Sequence, residues 1–205
     1  MYLLLIIISL LVGYIVVALD LIMHKVKVEY VIYFLMILFI LVPCVSLGIP
    51  LVKSGFKSMG FYSLGGVLGG YMAYMTMGKI TPEYKREYLE SIVIAAPIMY
   101  GIGKIGCSIG GCCGGRLIHG AIFPIQKVEA VCFIIAFLIS CMFRIKNKYD
   151  LYVAIIVYTL LKIALDFFRF THNDSLISMN QILCGVIIVI TMVFSNIRFK
   201  NTRSM

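Results

Sequence analysis

Four side chains near the carboxyl end repeat at steps of four, four and three: Tyr158, Lys162, Asp166 and Arg169. On a helix advancing about 100° per residue, all four project from nearly one face. Lys162 and Asp166 can pair directly at i, i+4, and Arg169 lies where its long stem can carry the guanidinium to a membrane interface. A structural ion pair holding two helices in register accounts for Lys162 and Asp166 but leaves Tyr158 and Arg169 on the same stripe unexplained. The stripe is therefore read as a site, since ionisable groups in apolar segments face polar cavities and partners.

A second candidate is Lys104, set in Gly101-Ile102-Gly103-Lys104-Ile105-Gly106-Cys107 and followed by Gly110, Gly111, Gly114, Gly115 and Arg116. Moving an ammonium to the centre of a bilayer costs about 2.5 to 3.5 kcal/mol on insertion scales, so this lysine requires an anionic partner or a polar cavity. The glycines remove side-chain bulk, which lets another helix or a lipid headgroup approach the backbone. Together they suggest a buried anion site. A third polar string, Phe123-Pro124-Ile125-Gln126-Lys127-Val128-Glu129, opens an apolar run. Proline fits a first helical turn, and Gln126 and Glu129 share a face. Glu129, one turn inside the membrane boundary, requires a cation that Lys104, Lys162 or Arg169 can supply. Lys127 reads as a snorkelling interfacial residue.

Cys107, Cys112 and Cys113, with His119 nearby, offer soft-metal ligands, but their spacing is no standard zinc pattern and packing is the expected role. The other cysteines, Cys44, Cys132, Cys141 and Cys184, are scattered through apolar runs as small hydrophobes and form no disulfide framework. No metal or cofactor is expected.

The elements that must position these groups are transmembrane helices. The 205 residues are 62% hydrophobic and 13% charged, which excludes an ordinary soluble domain. Spans are expected at 2–21, 30–48, 59–78, 91–110, 127–143, 151–168 and 176–196, each long enough to cross a bilayer. The fold expected is all-α, a single transmembrane domain over 1–205 of seven helices, with the first span retained rather than cleaved. In the third span Gly66 and Gly70, four apart, form a packing ridge. Thr81 to Tyr88 reads as a solvated amphipathic connector. Tyr2, Tyr30, Tyr33 and Tyr152 fall near span ends, at headgroup level.

Loop charge sets the expected orientation, because positive loops stay cytoplasmic. Lys25, Lys27, Lys79, Lys85, Arg86, Arg144, Lys146, Lys148, Arg198, Lys200 and Arg203 fall in one set of loops and the carboxyl tail. That places the amino terminus outside and the carboxyl terminus in the cytoplasm. Lys53, Lys57, Lys104, Arg116, Lys127, Lys162 and Arg169 remain on the outer side or within spans. The net charge of +9 is explained by loops facing anionic lipid, with no nucleic acid partner.

Three motifs in order, G-[RK]-x-G running into G-C-C-x-G-R, then P-x-Q-x-x-E, then Y-x3-[RK]-x3-[DE]-x-x-R, preceded by a serine-containing glycine ridge, resemble the prolipoprotein diacylglyceryl transferase family. The resemblance is strongest over residues 60 to 175. It implies a seven-helix enzyme of the bacterial plasma (inner) membrane whose cavity opens towards the outer leaflet. It implies transfer of the diacylglyceryl group of phosphatidylglycerol to a cysteine thiol of a secreted precursor, in lipoprotein biosynthesis. By motif it assigns catalytic roles to Lys104, Lys162, Asp166, Glu129 and Tyr158, and substrate binding to Gly103, Gly106, Gly115, Arg116, Gln126 and Arg169. Lys104 and Lys162 stand at arginine positions and Asp166 at a glutamate position. Leu64 stands where the family carries a histidine, Cys107 at an asparagine, Cys112 at an acidic residue, Phe123 at a histidine and Ile6 at a tyrosine. A lysine keeps the charge of the arginine it replaces and loses the planar fork that grips phosphate. Glu129 and Asp166 are the candidate bases.

Two other functions fit the same residues. One is a family member without chemistry that binds anionic lipid or a lipoprotein precursor. The other is a soft-metal transporter using Cys107, Cys112 and Cys113.

Overall fold

The computed structural model describes residues 1–53, 55, 63–112, 114–118, 120–170 and 177–203, with the backbone alone at 53, 63, 64 and 196–203. Lys57, Cys113 and His119, and the side chains of Lys53, Leu64, Arg198, Lys200 and Arg203, lie outside the described residues. Among those described there are seven α-helices: α1 (Tyr2–Met23), α2 (Val28–Lys53), α3 (Ser63–Ile80), α4 (Lys85–Ile109), α5 (Ile125–Ile145), α6 (Leu151–Asp166) and α7 (Met179–Arg203). A short hairpin, β1 (Leu117–Ile118) and β2 (Ala121–Ile122), joins α4 to α5 with Leu117 opposite Ile122. The stretches Tyr2–Met23, Val28–Val52, Pro82–Ile109 and Ile125–Ile145 are long and apolar enough to cross a membrane. By contrast α6, at 16 residues, rises about 24 Å, less than the roughly 30 Å of a hydrocarbon core. The chain is therefore a membrane protein with at least these four candidate spans.

Two compact units divide the chain, Leu11–Ala96 and the pair of segments Met1–Leu10 and Pro97–Met205. Within the first, α3 lies against α2 at backbone distance. A Cβ at Gly65 would stand 2.7 Å from Ser46 Cα, and one at Gly69 would stand 2.7 Å from the Leu41 carbonyl oxygen. At the expected ridge positions, Gly66 and Gly70, the nearest atoms are Ser46 Oγ at 3.4 Å and Ile92 Cγ2 at 3.6 Å, ordinary contacts. The packing ridge is Gly65 and Gly69, one residue earlier than expected. Gly69→Ala should accordingly destabilise the protein by roughly 1 to 3 kcal/mol, as overpacking does, while Gly66→Ala is tolerated. Thermal unfolding of the two variants in detergent checks this.

The segment 81–88 also differs from expectation. It is a 3-10 turn (Pro82–Tyr84) leading directly into α4, and Tyr88 is fully buried rather than solvated. Its ring packs on Phe34 at 4.6 Å between centroids, and its hydroxyl is 2.8 Å from Thr81 Oγ1. A buried phenol needs a partner for its hydroxyl, and Thr81 supplies it.

In the second unit, Ile125, Phe133 and Leu165 form a buried cluster, with Tyr100, Phe123, Tyr158 and Leu161 against it. Asp150 caps α6 by accepting from the Tyr152 and Val153 amides at 2.8 and 3.1 Å, an N-cap of the usual type. Ser178 and Gln181 cap α7 reciprocally: the Ser178 amide donates to Gln181 Oε1 at 3.1 Å and the Gln181 amide to Ser178 Oγ at 3.2 Å. The end of α6 departs from the expected span. The helix stops at Asp166, and Arg169 enters an isolated antiparallel bridge with Gly115.

Candidate functional site

The sequence places Glu129 one turn into α5, beside Ile125, which is wholly buried, so its carboxylate is carried inward with that face. It is 0% exposed. An ionised carboxylate at such a position is stable only when paired and hydrogen-bonded. Three cations from separate segments meet it. Lys104 Nζ, from α4, is 2.9 Å from Oε2, and Lys162 Nζ, from α6, is 3.6 Å from Oε1. One guanidinium nitrogen of Arg169, Nη2, donates to both oxygens at 2.7 and 2.9 Å. All three cations expected as alternatives are thus present together. Charge-assisted bonds of this kind are the strong ones in a protein interior.

Tyr100 completes the cluster and was not foreseen. Its hydroxyl donates to Glu129 Oε1 at 3.0 Å while accepting from Arg169 Nη2 at 3.1 Å and from Lys162 Nζ. Both ammoniums also approach its ring, Lys162 at 4.1 Å and Lys104 at 5.2 Å from the centroid, within cation–π range. The signal available in the sequence was its position four before Lys104, one helical turn away on the same face.

Asp166 stands behind Arg169. Its Oδ1 lies 3.4 Å from Arg169 Nε, and Oδ2 accepts from Ser178 Oγ. Being fully buried, it orients the guanidinium from the far side and ties the end of α6 to the start of α7. Beyond the expected pairing with Asp166, Lys162 bonds across helices, to Glu129 and Tyr100. Tyr158 is turned to Ser140 on α5, and its ring joins the apolar cluster. The single-face stripe fails at its last member because Arg169 has left the helix.

What holds Arg169 there is local and legible. The Arg116 amide donates to the Phe168 carbonyl at 2.8 Å, and the Phe170 amide to the Gly114 carbonyl at 3.2 Å. The turn at 168–170 is thus bonded to residues 114–116, which lead into the hairpin. Phe123 closes over Gly115, donating its amide to Arg116 O at 3.0 Å. A Cβ on Gly115 would collide with the Phe123 carbonyl, so only glycine admits this approach.

The remaining motif residues act on backbone packing. Gly106 and Gly110 meet the first turn of α1, where a Cβ would lie 3.2 Å from Leu5 Cβ and 3.3 Å from Tyr2 Cδ2. Gly103 faces Ser9, whose hydroxyl donates to the Met99 carbonyl at 2.6 Å. The glycine run of α4 thus admits a helix, α1, whose small-residue contact is of the kind membrane helices use. Gln126 donates to the Cys112 carbonyl at 2.9 Å and pins the chain leaving α4, while the Arg116 side chain is exposed. Cys112 Sγ lies 3.7 Å from the Cys107 carbonyl. Among the described residues no group of three His, Cys, Asp or Glu side chains is placed to hold a metal ion.

Chemically, the cluster sets three cations against two carboxylates among the described residues, one positive charge in excess. Lys162 is its most open cation, with its side chain 19% exposed against 8% for Lys104 and 11% for Arg169. Such an arrangement can hold an incoming anion at the Lys162 edge and stabilise negative charge developing there. No protein-family model, no curated protein and no solved structure matches the chain.

Proposed function

We propose that the chain is a diacylglyceryl transferase of the prolipoprotein type, a seven-span protein of the bacterial plasma membrane with its amino terminus outside. Phosphatidylglycerol is the donor and a cysteine thiol of a secreted precursor the acceptor. The observation that carries this reading is the convergence of Lys104, Lys162 and Arg169 on the buried Glu129 carboxylate, four residues drawn from three separate motifs. Their order and spacing suggested the family, and a shared site for the three motifs is what that reading requires.

The reaction requires cations on the departing glycerol phosphate and a route for the acceptor proton, because the thiolate is the nucleophile. The excess positive charge meets the first requirement. Purified protein in detergent should move labelled glycerol from phosphatidylglycerol to a cysteine-bearing signal peptide. Lys104→Ala should lower that rate by about 100-fold or more, the effect of removing one preorganised donor at a developing oxyanion. An unaltered rate in Lys104→Ala would sink the assignment.

A second reading is favoured by one substitution, Leu64 at the family's histidine position. It is a binding protein for anionic lipid or lipoprotein precursor that performs no transfer. In that case native mass spectrometry finds phosphatidylglycerol retained and glycerol phosphate never released.

A further inference from the structure

We infer that the Tyr100 hydroxyl is the group through which the acceptor's proton leaves, passing it to Glu129. The inference rests on the transferase reading and adds to it the proton route and an order of events. Glu129 is fully buried and its close partners among the described residues are donors, so an acceptor cannot reach it directly. Tyr100 is half-buried, and among the described residues its hydroxyl is the neutral group bonded to Glu129 that carries a transferable proton already aimed at the carboxylate. Arg169 donates to the same oxygen, so negative charge passing through it meets a cation that stays in place when Lys162 moves.

Lys162 and Arg169 together occupy the hydroxyl's lone pairs, which leaves no place for a thiol until one of them moves. Lys162 is the more exposed of the two and is held to Glu129 at only 3.6 Å. A phosphate arriving at the open edge draws Lys162 away and vacates one lone pair on Tyr100. The thiol then donates its proton to Tyr100 Oη as the phenolic proton passes to Glu129 Oε1. The sulfur forms a bond to the glyceryl carbon, the carbon–oxygen bond to phosphate breaks, and its electron pair leaves on the phosphate oxygen. The proton on Glu129 returns by the same path to the departing glycerol phosphate, so atoms and charge balance without a co-reactant. Lipid must bind before the thiol is activated.

Tyr100→Phe keeps the ring against Phe133, 4.5 Å between centroids, and removes only the hydroxyl. In the transfer assay, kcat should fall by about 100-fold or more while KM for phosphatidylglycerol changes little, as loss of a proton-transfer group requires. Replacement of Tyr100 by 3,5-difluorotyrosine keeps the hydroxyl and makes it more acidic, and the basic limb of the pH profile, where the relay loses its own proton, should move to lower pH. This second protein carries the test if Tyr100→Phe fails to accumulate. Wild-type activity with unimpaired Tyr100→Phe, or a pH profile unmoved by fluorination, overturns the role of Tyr100 alone. A wild-type protein that transfers nothing overturns the transferase reading and the proton route with it.

Discussion

Glu129→Ala should destabilise the protein by about 3 to 5 kcal/mol, enough that little of it accumulates in the membrane, because the remaining partners become buried charges without an opposite. Lys104, Lys162 and Arg169 would then face one another around an empty position, with Asp166 Oδ1 3.4 Å from Arg169 Nε. Glu129→Gln keeps the volume and one acceptor oxygen and should fall between wild type and the alanine variant. The diagnostic arm is a second change. In Glu129→Ala with Lys104→Met, one of the stranded cations is gone, and part of the lost stability should return. The interaction is read from melting temperatures in detergent across the four members of this cycle. A double variant no more stable than Glu129→Ala would mean that Lys104 does not share the carboxylate.

Gly115→Ala tests the same cluster from outside it. A single methyl at this point meets the Phe123 backbone carbonyl, which belongs to the chain leading into α5 and cannot swing aside as a side chain would. Something must shift, and the neighbour across the bridge is Arg169. We expect a loss of roughly 1 to 3 kcal/mol, the usual range for overpacking, together with loss of transfer out of proportion to it. The excess follows from geometry, since a displacement of about 1 Å at a reacting centre can cost about 100-fold in rate. Melting temperature and transfer rate measured on the same preparation separate the two effects. Equal transfer per folded molecule would show that the hairpin does not set the position of Arg169.

The charged residues were the most legible part of the chain, for a definite reason. An ion in an apolar helix is so costly alone that depth and residue type nearly dictate its partner, so the cations for Glu129 could be named before any geometry was known. Tyr100 was illegible because an aromatic in an apolar run reads as core, and part of its ring does serve as core. The two glycine pairs of α3 have the same spacing, and nothing in the sequence chooses Gly65 and Gly69 over their neighbours. Only the facing backbone of Leu41, Val42, Val45 and Ser46 decides it. Arg169 was assigned to the helix because its spacing fitted, although a step of three fits a turn as well. Its true constraint lies some fifty residues away at Gly115, beyond the reach of any periodicity argument. The stretch from Thr81 to Tyr88 misled through its charges, since Tyr88 is buried while Lys85 and Arg86 beside it stay exposed.

The shared carboxylate also bears on how the protein is made. Lys104, Glu129 and Lys162 lie on three successive helices, and each would enter lipid as an isolated ion if its helix left the insertion machinery alone. At roughly 2.5 to 3.5 kcal/mol apiece, three separate entries are far dearer than one entry as a neutralised group. Helices α4, α5 and α6 should therefore wait for one another beside the translocon and partition together, with synthesis of α6 as the committing event. In ribosome-bound chains truncated before Lys162, α4 and α5 should still crosslink to the translocon, and in chains extended past Arg169 they should crosslink to lipid.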